Sequence, residues 1–140
     1  RAPPEADVSL SRPAIIRIAA STDGQWLATV DSTQRVHTHS VDGLCYSSTV
    51  PPLQSPPTAL AFMPHTAVLT IASANKQLTL YDVDRASLTS WSLQNNRPLP
   101  AVGTSHEVPH HIAFNPAAPS TPILCAHSWL CRLALGAAAA

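Results

Sequence analysis

The chain has 140 residues, of which only 11% are charged, and its formal net charge is zero. A single lysine, Lys76, and seven scattered arginines leave out the basic stripe with which nucleic-acid-binding domains neutralise phosphates. Fourteen prolines oppose long helices. The three cysteines, Cys45, Cys125 and Cys131, lack paired spacing and suit reduced thiols better than a disulfide framework. No apolar run reaches membrane-spanning length, so the expected setting is soluble and intracellular.

Residues 1–12, with Pro3-Pro4, read as a linker or arm. A first unit, about residues 13–50, opens on the apolar run Ile15–Ala20, which is expected to be an inner strand packed on both faces. Asp23-Gly24 marks a turn into a strand at Gln25–Val30, Gln34–Val41 alternates and lies further out, and Asp42-Gly43 turns into an outermost strand at Leu44–Val50. Residues 51–57, PPLQSPP, cannot form a regular ladder and read as a crossover.

A second unit, about 56–94, predicts strands at Thr58–Phe62, Val68–Ala72, Gln77–Val83 and Ser87–Leu93. Residues 94–110, QNNRPLPAVGTSHEVPH, form the longest irregular stretch, and a loop of that length is usually functional or disordered. A third unit, about 110–135, holds Ile112-Ala113-Phe114, then strands at Ile123–Ala126 and Trp129–Leu135 around a turn at His127-Ser128, with no fourth strand in view. Residues 136–140 form an alanine-rich tail.

The first two units repeat each other. Ala19/Ala61, Leu27/Leu69 and Val41/Val83 are identical at an offset of 42 residues, and Ile18/Leu60, Trp26/Val68 and Val36/Leu78 match in apolar character. Tyr81-Asp82 stands where a WD-repeat often has its Trp-Asp pair, and the first unit has His39-Ser40 there. A period near 42 residues built of short strands is the spacing of a propeller blade. The expected fold is therefore all-β: a WD40-type β-propeller fragment of about two and two-thirds blades of four-stranded antiparallel sheet, read as a piece of a longer chain because so few blades cannot close a ring.

Motifs for chemistry are sparse. His106-Glu107-Val108-Pro109-His110 fits H-E-x-x-H, but that motif needs a helix to put both histidines on one face, and Pro109 with Pro98, Pro100 and Gly103 denies one. His110, His111, Cys125, His127 and Cys131 flank one predicted sheet without paired metal-ligand spacing. Neither a nucleophile elbow nor a phosphate-cradling glycine motif occurs. Trp26, Trp91 and Trp129 are read as packing between blades and not as base-stacking platforms, with Trp91, on a predicted outer strand, best placed to meet a partner. No catalytic residue, cofactor, metal ligand or small-molecule substrate is assigned. Candidate partner contacts are Trp91, Arg97, His106 and His110.

The run HHIAFNPAAPSTPILCAHSWLCRLAL (110–135) resembles the closing blades of the cirhin family, with PPTALAFMP (56–64), TLYDV (79–83), TSWSLQ (89–94) and DGQWLATVDSTQRVHTHSVDGL (23–44) matching the blades before it. The resemblance covers about residues 13–135 and rests on the order and spacing of these segments. It implies part of the second of two tandem propellers in a nucleolar, non-enzymatic scaffold. That scaffold belongs to the UtpA subcomplex of the small-subunit processome and assembles on the 5′ external transcribed spacer of pre-ribosomal RNA. The implied partners are other processome proteins and that RNA, met directly or through other chains, in support of its transcription and processing. The low charge makes protein contacts the safer expectation. An interaction propeller of an unrelated complex, such as a ubiquitin-ligase substrate receptor, is the alternative, and a metal-dependent hydrolase using His106 and His110 is a third.

Overall fold

The computed structural model describes residues 13–99 and 107–135. Three antiparallel sheets follow one another along the chain. The first holds β1 (Ile15–Ala20), β2 (Trp26–Asp31), β3 (Val36–Ser40) and β4 (Cys45–Thr49), in that order across the sheet. The second repeats the arrangement with β5 (Pro57–Phe62), β6 (Val68–Ser73), β7 (Leu78–Asp82) and the short β8 (Ser87–Leu88), followed by a one-turn helix α1 (Ser90–Gln94). The third has β9 (His111–Asn115), β10 (Ala118–Cys125) and β11 (Leu130–Arg132). The first strand of each sheet lies beside the first strand of the next, β1 by β5 and β5 by β9, so the sheets stand like wedges around a common edge.

Strand alternation explains how the wedges adhere. In β6 and β7, Leu69, Ile71, Tyr81 and Val83 point one way and join Ala28, Val30 and Val36 of the first sheet in one core. Val68, Ala72, Leu78 and Leu80 point the other way and join Ile112, Leu124, Cys131 and Leu135 of the third sheet in a second core. The middle sheet is thus buried on both faces, and every residue of β6 is buried. Each fully buried leucine or isoleucine contributes about 1.5–3 kcal/mol of transfer free energy, so these two seams hold the fragment together.

The repeat extends to the turns. Gln34 and Lys76 occupy matching left-handed positions, at φ 69° and 66°. Their amides donate to Asp31 O and Ser73 O, each at 2.9 Å. At the other end of the wedge, Asp23 Oδ1 accepts from Ser21 Oγ at 2.6 Å and from Gln25 N at 3.0 Å, while Gly24 takes a φ of 74° that suits a residue without a Cβ. The Ser21 hydroxyl and the Gln25 amide hold the Asp23 carboxyl below its ordinary range.

Several expectations need correction. The strand expected over Ser87–Leu93 ends at Leu88, because Thr89 caps a helix: its side chain accepts from Ser92 N at 3.3 Å. Trp91 therefore sits on α1 and not on an outer strand. The Ile15–Ala20 strand forms, but it is not packed on both faces: Ile15 and Ile18 are 66% and 64% exposed. The outermost strand of the first sheet begins at Cys45, because Asp42–Leu44 form a 3-10 turn with Gly43 at φ 73°. In the third sheet β10 starts at Ala118 and absorbs the proline-rich insert, with a register irregularity between Ala118 and Ile123 that spares the ladder the missing proline donors. β11 is confined to Leu130–Arg132, and the chain beyond it keeps bonding, with Leu133 N to Pro122 O at 2.9 Å and Leu135 N to Ser120 O at 3.0 Å.

Candidate functional site

Strand direction divides the loops between two rims. One rim carries the β2–β3 turn, the β4–β5 crossover, the β6–β7 turn, residues 95–99, residues 107–110 and the β10–β11 turn. The other carries the β1–β2, β3–β4, β5–β6, β7–β8 and β9–β10 turns. Of the residues expected to meet a partner, Trp91, Arg97 and His110 belong to the first rim or its approaches.

The structure spreads them along that rim. Trp91 is half-buried and packs on the core between the second and third sheets, alongside Leu99 and Trp129. Its carbonyl accepts from Asn95 N at 2.9 Å and Asn95 Nδ2 at 2.8 Å, which closes the helix. Arg97 is exposed on the segment leading away from α1. His106 lies outside the described residues. His110 is exposed, its amide donates to Cys125 O at 2.8 Å, and its ring stands 4.9 Å from that of His127.

Glu107 is the residue that organises this end of the rim. Its carboxylate receives Ser128 N at 2.8 Å and Ser128 Oγ at 2.5 Å, and its carbonyl accepts Trp129 Nε1 at 3.3 Å. The Ser128 hydroxyl and amide, with the nearby His127, hold the Glu107 carboxyl below its ordinary range. Glu107 thus pins residues 107–110 to the β10–β11 turn. Residues 107–110 are not helical, Pro109 is fully buried, and among the described residues no group of three His, Cys, Asp or Glu side chains is arranged to hold a metal ion. Burial pushes the Cys131 thiol up, away from the reactive thiolate.

A second polar constellation, on the outer face of the first sheet, went unread in the sequence. Asp31 Oδ2 receives His37 Nε2 at 3.0 Å, and His37 Nδ1 meets Thr49 Oγ1 at 2.9 Å, which in turn meets Tyr46 Oη at 2.7 Å. Asp31 Oδ1 also receives Thr33 N, Thr33 Oγ1 and Arg35 N. Burial raises the Asp31 pKa, but the bonds from Thr33, Arg35 and His37 outweigh it and bring the group down to about 2. With the imidazole neutral, protons run from Tyr46 through Thr49 to His37, whose Nε2–H faces the carboxylate. Both ring nitrogens are committed, so this is a clasp across β2, β3 and β4 and not a free base. Pairing of positions 31, 37 and 49 across neighbouring strands was the available signal.

The aromatic of the Tyr81-Asp82 pair sits between the first two sheets, 1% exposed, as its place in the repeat suggests. The solved structure of U3-55K aligns with 54% of this chain and 23% of its own length at a TM-score of 0.50 and 21% identity. The chain is a fragment of a WD40-type β-propeller. No family model matches this propeller fragment. Among curated proteins, the human U3 small nucleolar RNA-associated protein 4 homolog is 34% identical over 116 residues, which is 74% of this chain. The Schizosaccharomyces pombe U3 small nucleolar RNA-associated protein 4 is 32% identical over 87 residues, 61% of this chain. The fragment spans 17% of the length of the human relative and 12% of that of the yeast one.

Proposed function

We propose that this chain is part of a non-enzymatic scaffold of the small-subunit processome, in the cirhin family, working in the nucleolus in the processing of pre-ribosomal RNA and assembly of the small ribosomal subunit. The observation that carries the reading is the 34% identity over 116 residues with the human U3 small nucleolar RNA-associated protein 4 homolog. The geometry agrees with a presenting role. The His37 imidazole and the carboxylates of Asp31 and Glu107 are committed to internal hydrogen bonds, and the rims carry the exposed loops. Partners in this reading are other UtpA-type processome proteins and the 5′ external transcribed spacer of the precursor RNA. Trp91, Arg97, His106 and His110 are the proposed contacts. No cofactor takes part.

The test is affinity purification of the tagged full-length protein from growing cells, followed by protein identification and RNA sequencing. Recovery of precursor ribosomal RNA with processome proteins, reduced several-fold by the double variant R97E/H110A at unchanged protein abundance, is the expected result. Recovery of ubiquitin-ligase components without precursor RNA would replace the reading with the substrate-receptor alternative.

A further inference from the structure

The formal net charge of zero conceals a separation of charge between the two rims. Among the described residues, the rim of the β1–β2, β3–β4 and β7–β8 turns carries the carboxylates of Asp23, Asp42, Asp82 and Asp84 against the single cation Arg85. The opposite rim carries Arg35, Lys76 and Arg97. Its two described carboxylates, Asp31 and Glu107, are turned inward onto His37, Thr33 and Ser128. The head groups of Arg35, Lys76 and Arg97 have no ion-pair or hydrogen-bond partner among the described residues. Both carboxylates stay ionised, so three cations against two acids leave this rim at a formal +1, while four acids against Arg85 leave the other at −3 among the described residues. An acidic chain is drawn to the first rim, where the cation head groups are unpaired among those residues.

Arg35 also borders a cavity of about 300 Å³ between the β2–β3 turn and the crossover, walled by Val36, Val50, Pro52, Leu53 and Gln54. That volume is at the lower end of ligand-sized pockets and fits one or two side chains. The crossover adds open main-chain groups. Ser55 and Pro56 are fastened to the β6–β7 turn, by Asn75 N to Ser55 Oγ at 3.0 Å and Ala74 N to Pro56 O at 2.9 Å. The neighbouring Leu53 and Gln54 N–H groups make no hydrogen bond among the described residues. The segment is therefore held in place while its own donors stay available, which is what recognition of an extended peptide by its backbone requires.

We infer that this rim captures an extended peptide segment of a partner protein, one that places an acidic side chain on Arg35 and an adjoining apolar side chain in the Val50–Leu53 cavity. The inference rests on the scaffold reading and names the chemical kind of partner. RNA fits the same surface less well: the cations are few, and the described tryptophans on this side, Trp91 and Trp129, are half-buried against the core.

The experiment is a fluorescence-anisotropy titration of the purified full-length protein with a labelled twelve-residue peptide of repeated Asp-Leu-Pro. A repeated Lys-Leu-Pro peptide and a twelve-nucleotide oligouridine serve as comparison probes. The acidic peptide is expected to bind and the basic one not. Arg35→Glu should weaken binding by about tenfold or more, in the range of one lost charge-assisted contact. Arg85→Glu, on the opposite rim, should change it less than twofold. Arg35 is exposed and its substitution leaves both cores intact, which an unchanged thermal midpoint verifies. Absence of acidic-peptide binding, equal binding by Arg35→Glu, or binding of the oligouridine alone through Arg35 would each overturn the inference. Loss of processome co-purification from cells with peptide binding intact would sink the scaffold reading alone. Intact co-purification without peptide binding would sink only the rim.

Discussion

Tyr81 Oη donates to Ser48 Oγ at 2.9 Å, so a side chain of the second sheet is tied to the outermost strand of the first. The ring itself is 1% exposed and lies in the seam with Ala28, Val30 and Val36. The aromatic of the repeat thus supplies apolar area to the seam and a polar tether at its far end. Tyr81→Phe should cost about 1 kcal/mol, the net worth of one hydrogen bond, and Tyr81→Ala about 3–5 kcal/mol. Urea unfolding of the two variants separates the terms; an unchanged stability of Tyr81→Phe would deny the tether any part.

Asp31 gives the first sheet a pH dependence. Its folded pKa of about 2 lies below the value near 4 of an unfolded aspartate. The stabilisation, of about 2 kcal/mol by linkage, is complete above pH 4 and disappears as pH falls through about 2. Asp31→Asn should therefore lower the thermal midpoint at pH 6 and converge with the parent near pH 2. Parallel curves across that range would show that the clasp carries no net charge effect.

Glu107 should behave similarly at the loop. Its carboxyl is held below the ordinary range, so the tie to Ser128 stands at neutral pH and is lost only as pH falls below that range. Glu107→Gln should speed exchange of the Ser128 amide by several-fold at neutral pH, because an ionised acceptor is replaced by a weaker neutral one. Amide hydrogen exchange reads this directly, and unchanged protection at Ser128 would refute it.

Depth in the second seam should decide the cost of truncation. Leu80 is 0% exposed within the core shared with the third sheet, whereas Leu130 is 74% exposed. Leu80→Ala should cost about 2–5 kcal/mol and Leu130→Ala within about 0.5 kcal/mol. Denaturant melts of both variants check the contrast.

The strands of the first two wedges are legible in the sequence because alternation and turn chemistry agree at an offset of 42 residues, as Gln34 and Lys76 show in their matching backbone. The fourth strand of the second wedge is not, because Trp91 and Leu93 continue an apolar alternation while the decisive signal is a cap: Thr89 bonding Ser92 N. The start of β10 is equally hidden, since Pro119 and Pro122 argue against a strand that an irregular register permits. At the site, Glu107 was visible as a residue but not as an anchor, for its partner Ser128 lies 21 positions away. Exposure of Ile15 and Ile18 could not be read from an apolar run, which says what a strand prefers and not what stands beside it.

The middle wedge has a sheet packed against each of its faces. Opening β6 means parting two apolar seams. Amide protection in β6 should therefore far exceed that of the exposed rim turns. Even there one orphan persists: the Thr70 hydroxyl, enclosed in β6 without a partner among the described residues, marks where a valine would tighten the most durable strand.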